Sequence, residues 1–278
     1  MAAHPLPVIV SIATLPSRIG NMRPTLVSLL DGDLVPDRIM VIVTEYAERE
    51  ESAYIIPDFL KDERFTRGKI EVVVASQDWG PGTKLLGALE HLEAQCLLVL
   101  ADDDVAYKPR FLSQLVNSQS ADPTSSFSYY TYRTNGLTVG QGCDGFSFHS
   151  PNLDGVRKFF DDHVVGSSLQ YHDDLWISFF LFKRGIRVKP VSTPGTAELI
   201  YSETQPNDGL SSIASGELVR DKIIHDNLPR LIREGQLSRA RRAMLFASNA
   251  RDRLVHYASM TVFHYRRIMT NDARKNVA

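Results

Sequence analysis

Residues 96–101 read CLLVLA and run directly into Asp102-Asp103-Asp104. An apolar run without alternation marks a strand covered on both faces, as in a parallel sheet. Three more such runs precede it. Residues 8–13 (VIVSIA) are bounded by Pro7 and by Thr14-Leu15-Pro16, and residues 39–43 (IMVIV) and 70–75 (IEVVVA) follow. Helical patterns separate them: residues 23–30 carry Leu26, Val27, Leu29 and Leu30, and residues 83–93 place Leu85, Leu86, Leu89 and Leu92 on one face. Alternating strands and helices predict an α/β fold, with a mainly parallel central sheet and helices on both faces.

The pattern changes further on. Residues 127–133 and 137–139 flank Asn135-Gly136, a hairpin signal because both central turn residues tolerate positive φ. Residues 173–184 form a helical pattern with a broad apolar face, ended by Gly185, and residues 188–191 read as a short strand. Residues 193–215 are rich in Gly, Pro, Ser, Asn and Thr without periodicity, as expected of a long loop serving as a lid. From Glu217 the pattern is helical, with a break expected near Pro229, and continues through residues 239–269. The expected organisation is a catalytic domain over 1–215, with halves at about 1–108 and 109–215, and a basic helical extension over 216–278.

With 43% hydrophobic and 23% charged residues among 278, the chain has globular composition, which excludes disorder, collagen-like sequence and a disulfide scaffold. A net charge of −2 leaves no nucleic-acid footprint. The charge is uneven, however: residues 1–229 carry −10 and residues 230–278 carry +8. Arg239, Arg241, Arg242, Arg251, Arg253, Arg266 and Arg267 alternate with apolar residues. They suit either a peripheral contact with an anionic inner membrane leaflet or a helical pair packed on the acidic body. Cys96 and Cys143 form no zinc pattern and suit a reducing compartment, with Cys96 as a core thiol. The start lacks a signal-peptide pattern and the longest apolar runs are about six residues, so a cytoplasmic chain is expected.

Ligands of open α/β sheets bind beyond the carboxyl ends of strands, where Asp102, Asp103 and Asp104 fall. Three adjacent carboxylates repel one another and call for a positive partner. A divalent cation is one, since hard oxygens suit Mg2+ or Mn2+. A solvated acidic turn or a helix cap is the plainer reading.

LLVLADDDV resembles the metal and nucleotide-sugar motif of GT-A-fold glycosyltransferases. VIVSIATLPSRI is similar to the first strand and nucleotide-contacting loop of family-2-like members that build bacterial capsule and lipopolysaccharide. DWGPGTKLLGAL is similar to the segment before their acidic motif. Together the resemblance spans about residues 8–191 in the expected order. It implies a Rossmann-like GT-A fold and a hexosyltransferase-type activity that uses a nucleoside diphosphate sugar and Mn2+ or Mg2+. Asp104 would ligate the metal, Asp102 would meet the ribose or the metal, and Asp103 would belong to the nucleotide site. Thr14, Pro16 and Arg18, on the loop after the first strand, become candidates for nucleotide contact, as do Asp78 and Lys84. For Arg18 a solvated surface position is the alternative, and for Asp78 and Lys84 a capped surface turn is.

His172-Asp173-Asp174-Leu175-Trp176 resembles the acidic pair that opens a helix under the acceptor site. An inverting transfer needs a carboxylate to take the acceptor hydroxyl proton. Asp174 is the expected base and Asp173 its positioning partner; N-terminal charge complementarity is the alternative. Asp144-Gly145-Phe146 and His149 are expected on the acceptor side, which would take a glycan or lipid-linked hydroxyl. The family's third metal ligand, a His after the catalytic helix, has no counterpart in residues 203–209. Two other classes stay open: a sugar nucleotidyltransferase, whose Gly-rich basic loop residues 14–20 lack, and a non-catalytic sugar-binding scaffold.

Overall fold

The computed structural model describes residues 6–67, 69–191, 200–204, 216–235 and 237–247. The strands are β1 (Val8–Ala13), β2 (Arg38–Val43), β3 (Ile70–Val74), β4 (Leu97–Ala101), β5 (Val105–Tyr107), β6 (Ser125–Ser128), β7 (Thr131–Thr134), β8 (Leu137–Gly140), β9 (Phe146–His149), β10 (Arg187–Pro190) and β11 (Tyr201–Glu203). The helices are α1 (Arg23–Leu30), α2 (Glu63–Arg67), α3 (Thr83–Leu89), α4 (Phe111–Ala121), α5 (Val156–His163), α6 (Asp173–Arg184), α7 (Gly216–Glu234) and α8 (Arg239–Ala247).

Seven strands form one sheet in the order β10-β6-β9-β4-β1-β2-β3, parallel except for β9, which runs antiparallel to β4 and β6. The four apolar runs read from the sequence are β1 to β4. Successive side chains along a strand serve opposite faces. Val8, Val10 and Ile12 of β1 therefore join one buried cluster with Leu26, Leu29 and Phe111, while Ile9 joins the other with Met40, Trp176 and Phe179. Strand β1 pairs with β2 on one side and β4 on the other, with Ile12 opposite Ala101. The order of connection reverses here, so the carboxyl ends of β1 and β4 open side by side. Residues 14–18 and 102–104 meet at that opening.

The β7–β8 hairpin turns at Asn135 (φ 48°) and Gly136 (φ 82°), as the sequence predicts. Gly185 (φ 88°) ends α6, and the Ile186 N–H closes on the Leu181 carbonyl at 2.9 Å. Four expectations are corrected. Residues 127–133 are not one strand: the Ser128 hydroxyl donates to the Tyr130 carbonyl and accepts from the Gln141 N–H, turning the chain out of the sheet between β6 and β7. Helix α3 stops at Leu89, because the Glu90 and His91 N–H groups reach back only three residues and the Glu90 carboxylate binds Ser76. Within the expected lid, Tyr201–Glu203 forms a strand antiparallel to β5; residues 192–199 and 205–215 lie outside the described residues. Helix α7 passes through Pro229 unbroken. Proline removes one backbone bond there, but Leu228 and Leu231 beside it are fully buried and hold the helix to the core.

Ile223, Ile224, Leu228, Leu231, Leu237 and Leu245 join the same cluster as Trp176 and Phe179. The apolar faces of α7 and α8 therefore pack on the body, and Arg241 donates to the Phe182 carbonyl at the end of α6. Arg251, Arg253, Arg266 and Arg267 lie outside the described residues. No described helix is long and apolar enough to cross a membrane.

Candidate active site

The acid triplet leaves β4 through a bend at Asp103 and Asp104, and its members differ in burial. Asp103 points into the body and is 4% exposed; Asp102 and Asp104 stay partly exposed. The Thr14 hydroxyl donates to Asp103 Oδ2 at 2.6 Å, Arg18 Nη2 pairs with Asp103 Oδ1, and the Thr25 hydroxyl donates to the Asp103 carbonyl at 2.9 Å. Burial raises the Asp103 carboxyl to about 6 despite Arg18 and Thr14, which pull it down. Arg18 also reaches Asp104 Oδ2 at 2.7 Å. It is thus not a solvated surface arginine. Its guanidinium is an internal counter-ion that locks the loop after β1 onto the triplet. Thr14 braces the same contact and receives the Tyr54 hydroxyl on its carbonyl at 2.7 Å. Pro16 lies partly exposed in the turn that the Arg18 and Ile19 N–H groups close on the Leu15 carbonyl.

Asp78 is also committed to the protein. Its Oδ2 accepts from the Glu48 N–H at 3.0 Å and its Oδ1 from the Gly80 N–H at 2.7 Å and the Thr83 hydroxyl at 3.3 Å. It fastens the loop after β2 to the turn that starts α3. These bonds make Asp78 part of a capped turn that frames the site.

Lys84 leaves the first turn of α3 and places Nζ 2.7 Å from Asp102 Oδ1 and 3.2 Å from Asp173 Oδ2. The two acidic motifs, far apart in the chain, thereby share one ammonium. Asp173 and Asp174 open α6, where the helix N-terminus favours negative charge. Asp174 Oδ1 accepts the Gly142 N–H at 2.8 Å. Burial and the neighbouring Asp173 raise its carboxyl to about 7, against Lys84, the Gly142 N–H and Arg220 of α7.

Tyr107 and Tyr132, which the sequence did not single out, complete the surroundings together with His172 and Asp144. The Tyr107 hydroxyl accepts the Asp102 N–H at 2.8 Å and donates to the Cys143 carbonyl at 3.3 Å, tying the triplet to the segment before β9. Tyr132 Oη lies 3.1 Å from His172 Nε2, and burial lowers the imidazole pKa to about 3, so the ring is neutral. Asp144 is buried, its Oδ2 accepts from Gln141 Nε2 at 3.2 Å, and burial with Asp174 nearby raises it to about 8. Tyrosines and glycines in unlike segments carry no spacing signal, so only the folded chain brings them here. His149 sits opposite Leu97, at the far end of β4 from the triplet.

Charge repulsion within the triplet is thus offset in part by Arg18 and Lys84, where the sequence alone called for a bound cation. Room for a cation remains: Asp102 and Asp104 each pair through one oxygen, and both carboxylates are partly exposed. They are hard donors of the kind that hold Mg2+ or Mn2+ together with substrate phosphates. No cluster of three His, Cys, Asp or Glu side chains stands ready for a metal among the described residues.

A mainly parallel seven-stranded sheet with helices on both faces defines a Rossmann-like α/β fold of the glycosyltransferase type. Among solved structures it is similar to the mannosyltransferase PcManGT from Pyrobaculum calidifontis, in complex with GDP-Man and Mn2+. The TM-score is 0.58 at 18% identity, over 88% of this chain and 70% of that one. At that identity the likeness establishes the fold alone. No protein-family model matches the sequence, and no curated protein does.

Proposed function

We propose that the chain is a glycosyltransferase that moves a sugar from a nucleoside diphosphate sugar to a hydroxyl of a glycan or lipid-linked acceptor, with inversion, in bacterial surface polysaccharide assembly. The observation that carries this reading is the meeting of the two acidic motifs through Lys84 at the switch point of the sheet. The fold supports it, since PcManGT binds GDP-Man and Mn2+ on a similar framework.

Asp102 and Asp104 are the residues that would hold Mn2+ or Mg2+, with donor phosphate oxygens filling positions the protein leaves open. Bound there, the cation supplies Lewis acidity against the charge growing on the departing nucleoside diphosphate. Arg18 and Thr14 keep the triplet in register, and Asp103 anchors it from beneath. Asp174 takes the proton of the acceptor hydroxyl as that oxygen attacks the anomeric carbon opposite the leaving group. A carboxyl near 7 suits a general base at neutral pH, because it is substantially ionised yet still basic. Asp173, held by Lys84, positions the turn that carries the base. The packing of the apolar faces of α7 and α8 favours their being part of the body.

Nucleoside diphosphate release from a panel of UDP-, GDP- and TDP-sugars with Mn2+, alongside thermal shift with the free nucleotides, tests the proposal. Turnover of one donor with metal-dependent stabilisation by its nucleotide is expected. Absence of both for every nucleotide would leave a binding scaffold of the same fold.

A further inference from the structure

Lys84 stands at a helix start, a position where a lysine usually serves a bound anion. Its side chain does otherwise. It is 9% exposed, and its ammonium lies between two carboxylates from different parts of the sheet: Asp102 at the end of β4 and Asp173 at the start of α6. The backbone beneath it is fastened too, since the Ser11 hydroxyl of β1 donates to the Lys84 carbonyl at 2.5 Å. Gly142 roofs the ammonium. A Cβ there would fall 3.0 Å from Nζ and 3.2 Å from Asp174 Oδ1, tight enough to push both groups by a few tenths of an ångström. Burial works against the charge on Lys84, but Asp102, Asp173 and Asp174 together outweigh it and hold the ammonium protonated.

We infer that Lys84 is a positioning residue, a resident cation that ties the donor-side carboxylate Asp102 to the acceptor-side carboxylate Asp173 and so keeps both acidic motifs in one geometry. Its catalytic consequence rests on the glycosyltransferase reading; its structural consequence does not. A lysine that grips the donor diphosphate acts on donor affinity. A lysine that aligns carboxylates acts on turnover, because a displacement of about 1 Å at a reacting group costs about 100-fold.

Lys84→Met is expected to lower kcat about 100-fold while the donor KM stays within about threefold. A donor KM raised tenfold or more with kcat retained would overturn the proposal in favour of a phosphate ligand. Lys84→Arg, which keeps the charge, should recover part of the kcat lost in Lys84→Met at unchanged donor KM; no recovery of kcat or stability in this variant counts against the clamp. Stability gives a readout without turnover. Lys84→Met leaves two carboxylates facing each other and should lower the unfolding midpoint by about 10 °C. Adding Asp173→Asn in the Lys84→Met background should then recover part of that loss. Strict additivity of the two changes would show that no clamp exists. If the wild type turns over no donor, the enzymatic reading fails, and the stability cycle still decides the role of Lys84.

Discussion

The two acidic motifs are built on different principles. Asp102, Asp103 and Asp104 leave a strand through a bend, and their side chains part company: the middle one is buried on Arg18 and the outer two stay partly exposed. Asp173 and Asp174 open a helix, where adjacent side chains diverge by about 100° and the dipole holds negative charge. There one carboxylate pairs with Lys84, and the other rests on a backbone N–H with its pKa raised. The triplet sorts its acids into one buried anchor and two partly exposed carboxylates; the helix start sets one carboxylate on Lys84 and the other on a backbone N–H. Identical residue types thus acquire separate tasks from the backbone that carries them.

Substitutions can break that contrast. The largest effect is expected from Asp174→Asn, which should cut turnover by about 1,000-fold while thermal shift with the donor nucleotide stays near wild type. Normal turnover in this variant would move the proton acceptor elsewhere. Next comes Asp103→Ala, which takes from the buried Arg18 guanidinium its buried carboxylate partner and leaves it Asp104; it should cost about 3 kcal/mol in urea unfolding. Asp104→Asn sharpens the same comparison, since its side chain is 32% exposed. Stability should change by about 1 kcal/mol or less, while metal-dependent stabilisation by nucleotide disappears. Equal destabilisation by the two variants would mean that the difference in burial within the triplet has no energetic meaning.

A last comparison concerns pH. Asp103, Asp174 and Asp144 are raised to about 6, 7 and 8, so between about pH 4 and 8 the folded chain keeps protons that the unfolded chain has released. Stability should therefore fall as pH rises through that window. Asp144→Asn removes the group with the widest span, and its unfolding midpoint should decline less between pH 5 and 8. Parallel curves for variant and wild type would refute the assignment. His172 acts in the other direction: buried and neutral, it costs stability as pH drops below about 6.5, where the unfolded chain takes up a proton.

Much of this could be read from residue order. Runs of Val, Ile and Leu with no alternation identified β1 to β4, because a strand covered on both faces has no solvent side to mark with polar residues. Asn135-Gly136 identified the hairpin, since few other dipeptides accept two positive φ angles. The acids after β4 and at the start of α6 were visible from their places beside those elements. Local conformation and burial pattern are properties of neighbouring residues, so sequence alone determined them.

Only the tertiary structure decided what those residues touch. Strand β9 enters the sheet antiparallel between β4 and β6, and β11 forms inside a segment that reads as loop, because each depends on a partner distant in the chain. Arg18 meets Asp103 and Asp104, and Asp78 meets backbone N–H groups of two loops, contacts that no spacing in the sequence announces. Lys84 finds Asp173 only after α3, β4 and α6 have packed around one sheet. Pairing between charges depends on distance in space, and that distance exists only once hydrophobic burial has closed the chain on itself.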